Sequence, residues 1–477
     1  MRHSAKKAAQ AGALATLLAA LLPTFPLAQA QQTDAAALPV PPSGVIGIDR
    51  AAMLTPDYWI AHAAEPDRVL LTPEQIAAMN AKSVAQDPAT RDLAKVGPTL
   101  SREQVVAWLK EASASASKPV VDAKGNDPAP TIAKAQANAG LERVAASAPT
   151  RYGMSVHRSI LRTYPTMQGV YATRDSHDFD MFQGGILFPG EPVVIAHESV
   201  DKEWFLVYTT QGPAWVRKMD IAQGSAEQVF GYLKKAPYRV VTGDKVDTVY
   251  TPEAPEVSEV QLDMGVRVPL AALPEDKPVN GQGPYVSWTV TLPVRHDDGT
   301  LAFEPALLQK IKDTSPDYLP LTRENIIRQS FKFLGERYGW GHLYNARDCS
   351  GFTSDVYHSM GVLVQPNSGA QGASPAFHHQ LFTASDTHEA RVKAVLAAQV
   401  GDLIVVPGHV LMILGQLDGQ PYVIQDVPYA VFHDPSSGKV RMTKTNEVSV
   451  TPLLPLMADD KNTYVDAMTS LVHVTAQ

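Results

Sequence analysis

Cysteine is almost missing from these 477 residues: there is one, Cys349. A single cysteine closes no internal disulfide, so the thiol is buried and inert, shared between chains, or kept because it reacts. Long apolar runs are scarce too. Past the N-terminal leader none reaches the roughly 18 residues a membrane helix needs, so no transmembrane segment is expected. Positive charge is in deficit: 41 Lys and Arg against 49 Asp and Glu give a net charge of -8, which speaks against nucleic acid and other polyanions as partners. Clusters of Cys, His and carboxylates at metal-ligand spacing are lacking. His378 and His379 are adjacent, and in a strand they would point to opposite faces. No metal and no cofactor is expected.

What is present begins with MRHSAKKAAQAGALATLLAALLPTFPLAQA. Arg2, Lys6 and Lys7 give a positive start, Ala11 to Leu22 an apolar stretch and Ala28-Gln29-Ala30 a small-residue cleavage pattern, so residues 1–30 read as a signal peptide. Losing those three cations takes the net charge from -8 to -11. No cysteine follows the cleavage point, which excludes a lipid anchor there. A periplasmic or secreted product is expected, as a monomer.

The stretch ARDCSGFTSDVYHSMGV, residues 346–362, surrounds the thiol. Phe352, Val356, Tyr357 and Met360 fall at helical spacing, Gly361 stops the pattern, and Asp348 is the natural N-cap. Cys349 then lies in the first turn, where free amides and the dipole favour a thiolate and can hold an oxyanion. Upstream, LTRENIIRQSFKFLGERYGWGH predicts a helix opened by Thr322 and ended by Gly335, after which Tyr338 and Trp340 return towards the thiol. A cysteine nucleophile needs a base. The candidate is His409, at the head of a strand in GDLIVVPGHVLMILG; His342, His358, His378, His379 and His388 lack such framing. The imidazole in turn needs an orienting acceptor. A two-residue turn at Asp418-Gly419 would put Asp426 on the face of His409, and a three-residue loop centred on Leu417 would put Gln425 there. The residues leave both open.

DCSGF preceded by YGWG, then GDLIVV with GHVLMILG, then YVIQD, resembles the NlpC family of bacterial cell-wall cysteine peptidases, which have a papain-like fold. The resemblance implies Cys349 as nucleophile, His409 as base and Gln425 as the third residue, with Tyr338 and Trp340 at the oxyanion site and cleft. It implies substrate contacts at Asp348, Ser350, Asn367, Ser368 and Gln371. Three departures stand out: the hairpin between His409 and Gln425 is longer than the common form, Gln is one of the less usual third residues, and Gln365-Pro366 replace a usual Pro-Arg. The implied reaction is hydrolysis of the γ-D-glutamyl-diamino acid bond of peptidoglycan stem peptides. An amidase or acyltransferase on the same core, or an inactive wall-binding scaffold, are the alternatives.

The rest of the chain completes a multidomain α+β reading. Residues 31–150 are an N-terminal arm, anchored by Tyr58 and Trp59 and a helix start at Thr72-Pro73-Glu74, running into an Ala, Ser, Lys and Pro linker. Residues 151–226 show short strands broken by Pro-Gly and Gln-Gly-Pro. They resemble a bacterial SH3-like domain through Leu161-Arg162-Thr163, Phe179-Asp180, Gly190-Glu191-Pro192, Asp201 to Trp204 and Trp215-Val216. A second such set spans 227–304, and 305–477 is the papain-like catalytic domain. The expected architecture is two small β-barrel SH3-like domains, acting as walls that restrict the substrate, plus the peptidase, behind a short helical arm.

Overall fold

The computed structural model describes residues 38–113, 120–175, 177–274 and 276–475. The expected signal peptide, residues 1–30, lies outside them. Among the described residues no helix is long and apolar enough to cross a membrane.

The arm is part of the catalytic core. Helix α1 (Pro56–His62) carries Trp59, which packs on Tyr422 at a ring distance of 5.2 Å and donates its indole N–H to the Met53 carbonyl at 2.8 Å. Helix α2 (Pro73–Gln86) starts with a Thr72/Gln75 capping box, and the strand before it, Val69–Leu71, pairs with Leu321–Thr322 at the start of the catalytic domain. Met53, Trp59, Leu71 and Ile76 share one buried cluster with Phe352 and Ile424.

The expected linker is structured where it is described. Helix α3 (Arg102–Ala112) lays Trp108 flat on Tyr208, 4.2 Å between rings. Helix α4 (Ala129–Ala139) follows Pro128, ends at Gly140 in the left-handed region, and buries Ala135 beside Tyr164 and Phe182. Its Ala-rich face is too weakly apolar to stand out in sequence, and the adjoining β domain supplies the packing that fixes it.

The first β domain is one seven-stranded antiparallel sheet built from segments between Arg151 and Gly224, with Trp215 fully buried. Helix α5 (Ala226–Tyr232) leads to the second. There a long hairpin, Ser287–Arg295 with Leu301–Gln309, packs with two smaller sheets. The expected boundary at 304 cuts this hairpin, and Thr314–Ser315 still pairs with Val240 and Val241, so the second domain continues past 304.

The catalytic domain holds α6 (Arg323–Phe331), α7 (Cys349–His358), α8 (Ser368–Ala373), α9 (His388–Ala397) and α10 (Tyr464–Ala467). Its sheet has strands β1 (His378–Leu381), β2 (Leu403–Val406), β3 (His409–Leu417), β4 (Gln420–His433), β5 (Val440–Pro452) and β6 (Ser470–His473), in the order β1-β6-β2-β3-β4-β5. One sheet face, with Val410, Met412 and Ile424, meets α6 and α7. The other, with Leu411, Ile413 and Val423, meets α9 and α10.

Candidate active site

Cys349 opens α7, and Asp348 is its N-cap, as the periodicity predicts. One Asp348 oxygen accepts the amides of Ser350 (3.0 Å) and Gly351 (2.9 Å) and the Ser350 hydroxyl (2.9 Å). The other accepts the Gly341 amide at 3.1 Å, tying the preceding loop to the helix. That loop runs through the left-handed region at Gly341, His342, Tyr344 and Asn345. His342 is thereby buried against α7, and Gly351 is where it fits: a Cβ there would stand 2.6 Å from the imidazole.

A bulge decides which side chain faces His409. The turn is the two-residue one, with Leu417 opposite Gln420, which by itself would favour Asp426. The register then shifts between Ile413 and Gly415, and Met412 pairs with Ile424. One extra residue reverses the facing. Gly415 supplies the signal: a Cβ there would meet the Trp59 ring at 3.4 Å, so the arm packs where the strand has no side chain. His409 Nε2 donates to Gln425 Oε1 at 2.8 Å, and Gln425 Nε2 donates to Thr451 Oγ1 at 2.8 Å. Nδ1 is then the basic nitrogen. Asp426 faces the other way, fully buried, with neither carboxylate oxygen hydrogen-bonded. Burial first, then the Asp348 and Glu336 carboxylates, push its pKa well up, so it is a neutral acid.

The electrostatics overturn one expectation. Cys349 is only 5% exposed, and burial pushes its thiol up, with the Asp348 charge adding and hydrogen bonds from the Val410 and Ser350 amides opposing. Burial lowers His409 to about 4, against the Gln425 bond. The resting site therefore holds a neutral thiol and a neutral imidazole. Burial outweighs the helix start, whose Ser350 and Gly351 amides are engaged by Asp348.

Around this row the remaining predicted residues divide. Tyr338 is buried near Cys349, and its phenol is pushed far up by burial and by the Cys349 and Asp348 charges. Tyr338 and Trp340 lie 5.7 and 5.6 Å, ring to ring, from Phe179 of the first β domain. The same face of that domain holds Arg337 through Asp178 (2.7 Å) and accepts the Tyr344 hydroxyl on the His177 carbonyl (3.1 Å). Asn367 and Ser368 open α8, with the Asn367 side chain accepting the Ala370 amide at 2.9 Å. Two substrate contacts are corrected. Gln371 has no exposed surface and spends its amide on Thr353, the Ser350 carbonyl and the Gln365 carbonyl. Ser350 is buried with its hydroxyl given to Asp348. Both brace the first turn of α7.

Sequence reasoning missed three features. Thr451 backs Gln425 from β5. Tyr464 of α10 packs on His409, 5.8 Å between rings. Arg347, fully buried, donates to Asp355 (2.6 Å), Asp263 (2.9 Å), both oxygens of Glu336 (3.1 Å each) and the Asp244 carbonyl (3.0 Å). Lys245 also reaches Glu336 at 2.7 Å, and Arg158 of the first β domain lies 3.5 Å from Asp263 while donating to the His342 and Ala346 carbonyls. Three cations and three anions from three domains thus close on the residue two before Cys349. Among the described residues no group of three or more metal-binding side chains occurs.

Residues 335–450 match the NlpC/P60 family and residues 170–217 match the SH3 domain of the SH3b1 type. No curated protein matches the sequence. Among solved structures, an NlpC/P60 endopeptidase from Photobacterium damselae subsp. piscicida aligns with a TM-score of 0.68 at 14% identity, covering 88% of this chain and 97% of that one. An NlpC/P60 family protein from Bacillus cereus aligns with a TM-score of 0.40 at 20% identity, over 62% of this chain and 83% of that one. The first likeness is one of fold across nearly the whole chain, and the family match falls on the stretch that carries Cys349, His409 and Gln425. The chain therefore carries an SH3 domain followed by an NlpC/P60 domain, the domain of a family of cysteine endopeptidases that act on peptidoglycan.

Proposed function

We propose that this enzyme is exported to the periplasm or the exterior and hydrolyses the γ-D-glutamyl-diamino acid bond of peptidoglycan stem peptides, with Cys349 as nucleophile, His409 as base and Gln425 as its orienting acceptor. The observation that carries the assignment is the 2.8 Å bond from His409 to Gln425 at the end of the sheet against which the Cys349 helix packs. Because thiol and imidazole are neutral at rest, proton transfer accompanies attack. His409 Nδ1 takes the Cys349 proton as sulfur bonds to the γ-carbonyl carbon. With Ser350 and Gly351 spent on Asp348, the Cys349 amide and the Tyr338 hydroxyl are the donors left for the oxyanion. Collapse of the intermediate breaks the C–N bond, and the imidazolium protonates the departing amine. Water, deprotonated by His409, then cleaves the thioester and restores the thiol.

The β domains act in this reading as walls. The Phe179, Asp178 and His177 contacts with residues 337–344 support it, since they bring the first domain to the edge of the cleft. A steric wall admits a stem with a free end and excludes one held by the glycan. Digestion of defined muropeptides and of intact sacculi, followed by mass spectrometry, tests both parts. Free γ-D-glutamyl-diamino acid stems are expected to be cut and sacculi to be cut more slowly. Cleavage at another bond refutes the assignment, and equal rates refute the wall.

A further inference from the structure

The stretch after β5 is easy to pass over, because the family match ends at residue 450. It nevertheless brings an aromatic ring to the catalytic row. Tyr464 is the first residue of α10, a helix of four residues that cannot stand by itself. It is held from several sides. The Tyr464 amide donates to the Leu456 carbonyl (2.9 Å), and the Met457 amide donates to Val431 of β4 (2.8 Å). Thr463 and Asp466 form a capping box, and the free Asp466 oxygen meets His388 Nδ1 of α9 at 2.6 Å. An element so short and so firmly tied presents its first side chain in one place. There the Tyr464 ring lies 5.8 Å from the His409 ring, tilted by 39°.

We propose that Tyr464 is a positioning residue for His409: its ring fixes the plane of the imidazole against the Gln425 bond and keeps water from it. The inference rests on the reading of His409 as the base. Gln425 constrains one edge of the imidazole, yet a single hydrogen bond leaves the ring free to rotate about it. Contact with Tyr464 removes that freedom. It also covers one side of a half-buried group whose position at a strand end would otherwise leave it more open to solvent, and burial is what lowers His409 to about 4. The titratable group packed on the imidazole is Tyr464 from α10, and Cys349 of α7 accepts from the amide of the next residue, Val410. Asp426 lies on the opposite sheet face, and Asp466 is turned to Thr463 and His388. Burial raises Tyr464 to about 12, so it stays neutral across the working range.

The test compares Tyr464→Phe and Tyr464→Ala in the full chain. His409 is titrated by NMR in a Cys349→Ser background, with His409→Gln assigning the signal, and kcat and KM are measured separately on a cleaved muropeptide. Wild type and Tyr464→Phe are expected to titrate near 4. Tyr464→Ala is expected to move up by about one unit or more as burial is relieved, with kcat down ~10-fold and KM changed less than ~2-fold. An unmoved His409 titration in Tyr464→Ala overturns the proposal. So does an equal loss of kcat in Tyr464→Phe, which would make the hydroxyl the active part. If Tyr464→Ala does not fold, Asp466→Asn, which loosens α10, must shift His409 in the same direction by a smaller amount. The NMR titration needs no turnover, so a failed peptidase assignment and a failed role for Tyr464 give different results.

Discussion

Two buried polar clusters meet at the start of α7, and they solve burial in opposite ways. Around Arg347 the solution is ionic: Arg158, Lys245 and Arg347 face Asp263, Glu336 and Asp355, and the Arg347 charge opposes the burial that raises Asp355 to about 7. Two residues on, burial keeps Cys349 and His409 neutral, and one hydrogen bond joins His409 to the uncharged Gln425. Fully paired ions in a dry interior are rigid and specify geometry, whereas neutral groups leave the proton free to move. The first cluster can thus fix where the helix starts, and the second can react there. The ionic cluster draws on both β domains, so their docking and the placing of Cys349 are one construction.

Breaking the ionic side should have the largest effect. Arg347→Met leaves Asp263, Glu336 and Asp355 buried with two cations between them. Loss of one partner from such a set costs about 3 to 5 kcal/mol, to be read from the shift of the urea midpoint, with activity lost in parallel. Separating the catalytic domain should fail for a related reason. A fragment beginning at residue 305 lacks Asp263, Arg158 and Lys245, and it also lacks Met53, Trp59, Leu71 and Ile76 of its own core. It is expected to be insoluble or molten by near-UV circular dichroism. A well-folded fragment would mean that the ionic cluster is dispensable.

On the neutral side, Gln425→Ala should lower kcat on the order of 10²-fold, because the imidazole loses its acceptor. Asp426→Asn should change kcat by less than about 3-fold, since a neutral acid is replaced by a neutral amide of its shape. Equal losses would mean that Asp426 also serves the imidazole.

Much of this could be read from the chain. Helix α7, its Asp348 cap, its Gly361 stop and the His409 strand follow from local periodicity and capping, which act over a few residues. Turn geometry alone leaves Gln425 and Asp426 open, and only the family resemblance favours Gln425, because the bulge lies where Trp59, some 350 residues earlier, packs on β3. Gly415 inside an apolar strand was the available sign of a bulge. Gln371 illustrates the reverse case. Its motif position suggests a substrate contact, and tertiary hydrogen bonds absorb it into the support of α7. Arg347 and Tyr464 carry no local signal, since each acquires its role from residues of other elements.

The neutral state of the resting pair is tested most directly by the pH dependence of Cys349 alkylation in the folded enzyme. With the thiol raised by burial and His409 lowered to about 4, iodoacetamide labelling should be slow at neutral pH and climb only on the alkaline side, beyond an ordinary cysteine. A labelling rate that plateaus through neutral pH and falls off only in acid would reveal a thiolate-imidazolium pair at rest, and would contradict the account.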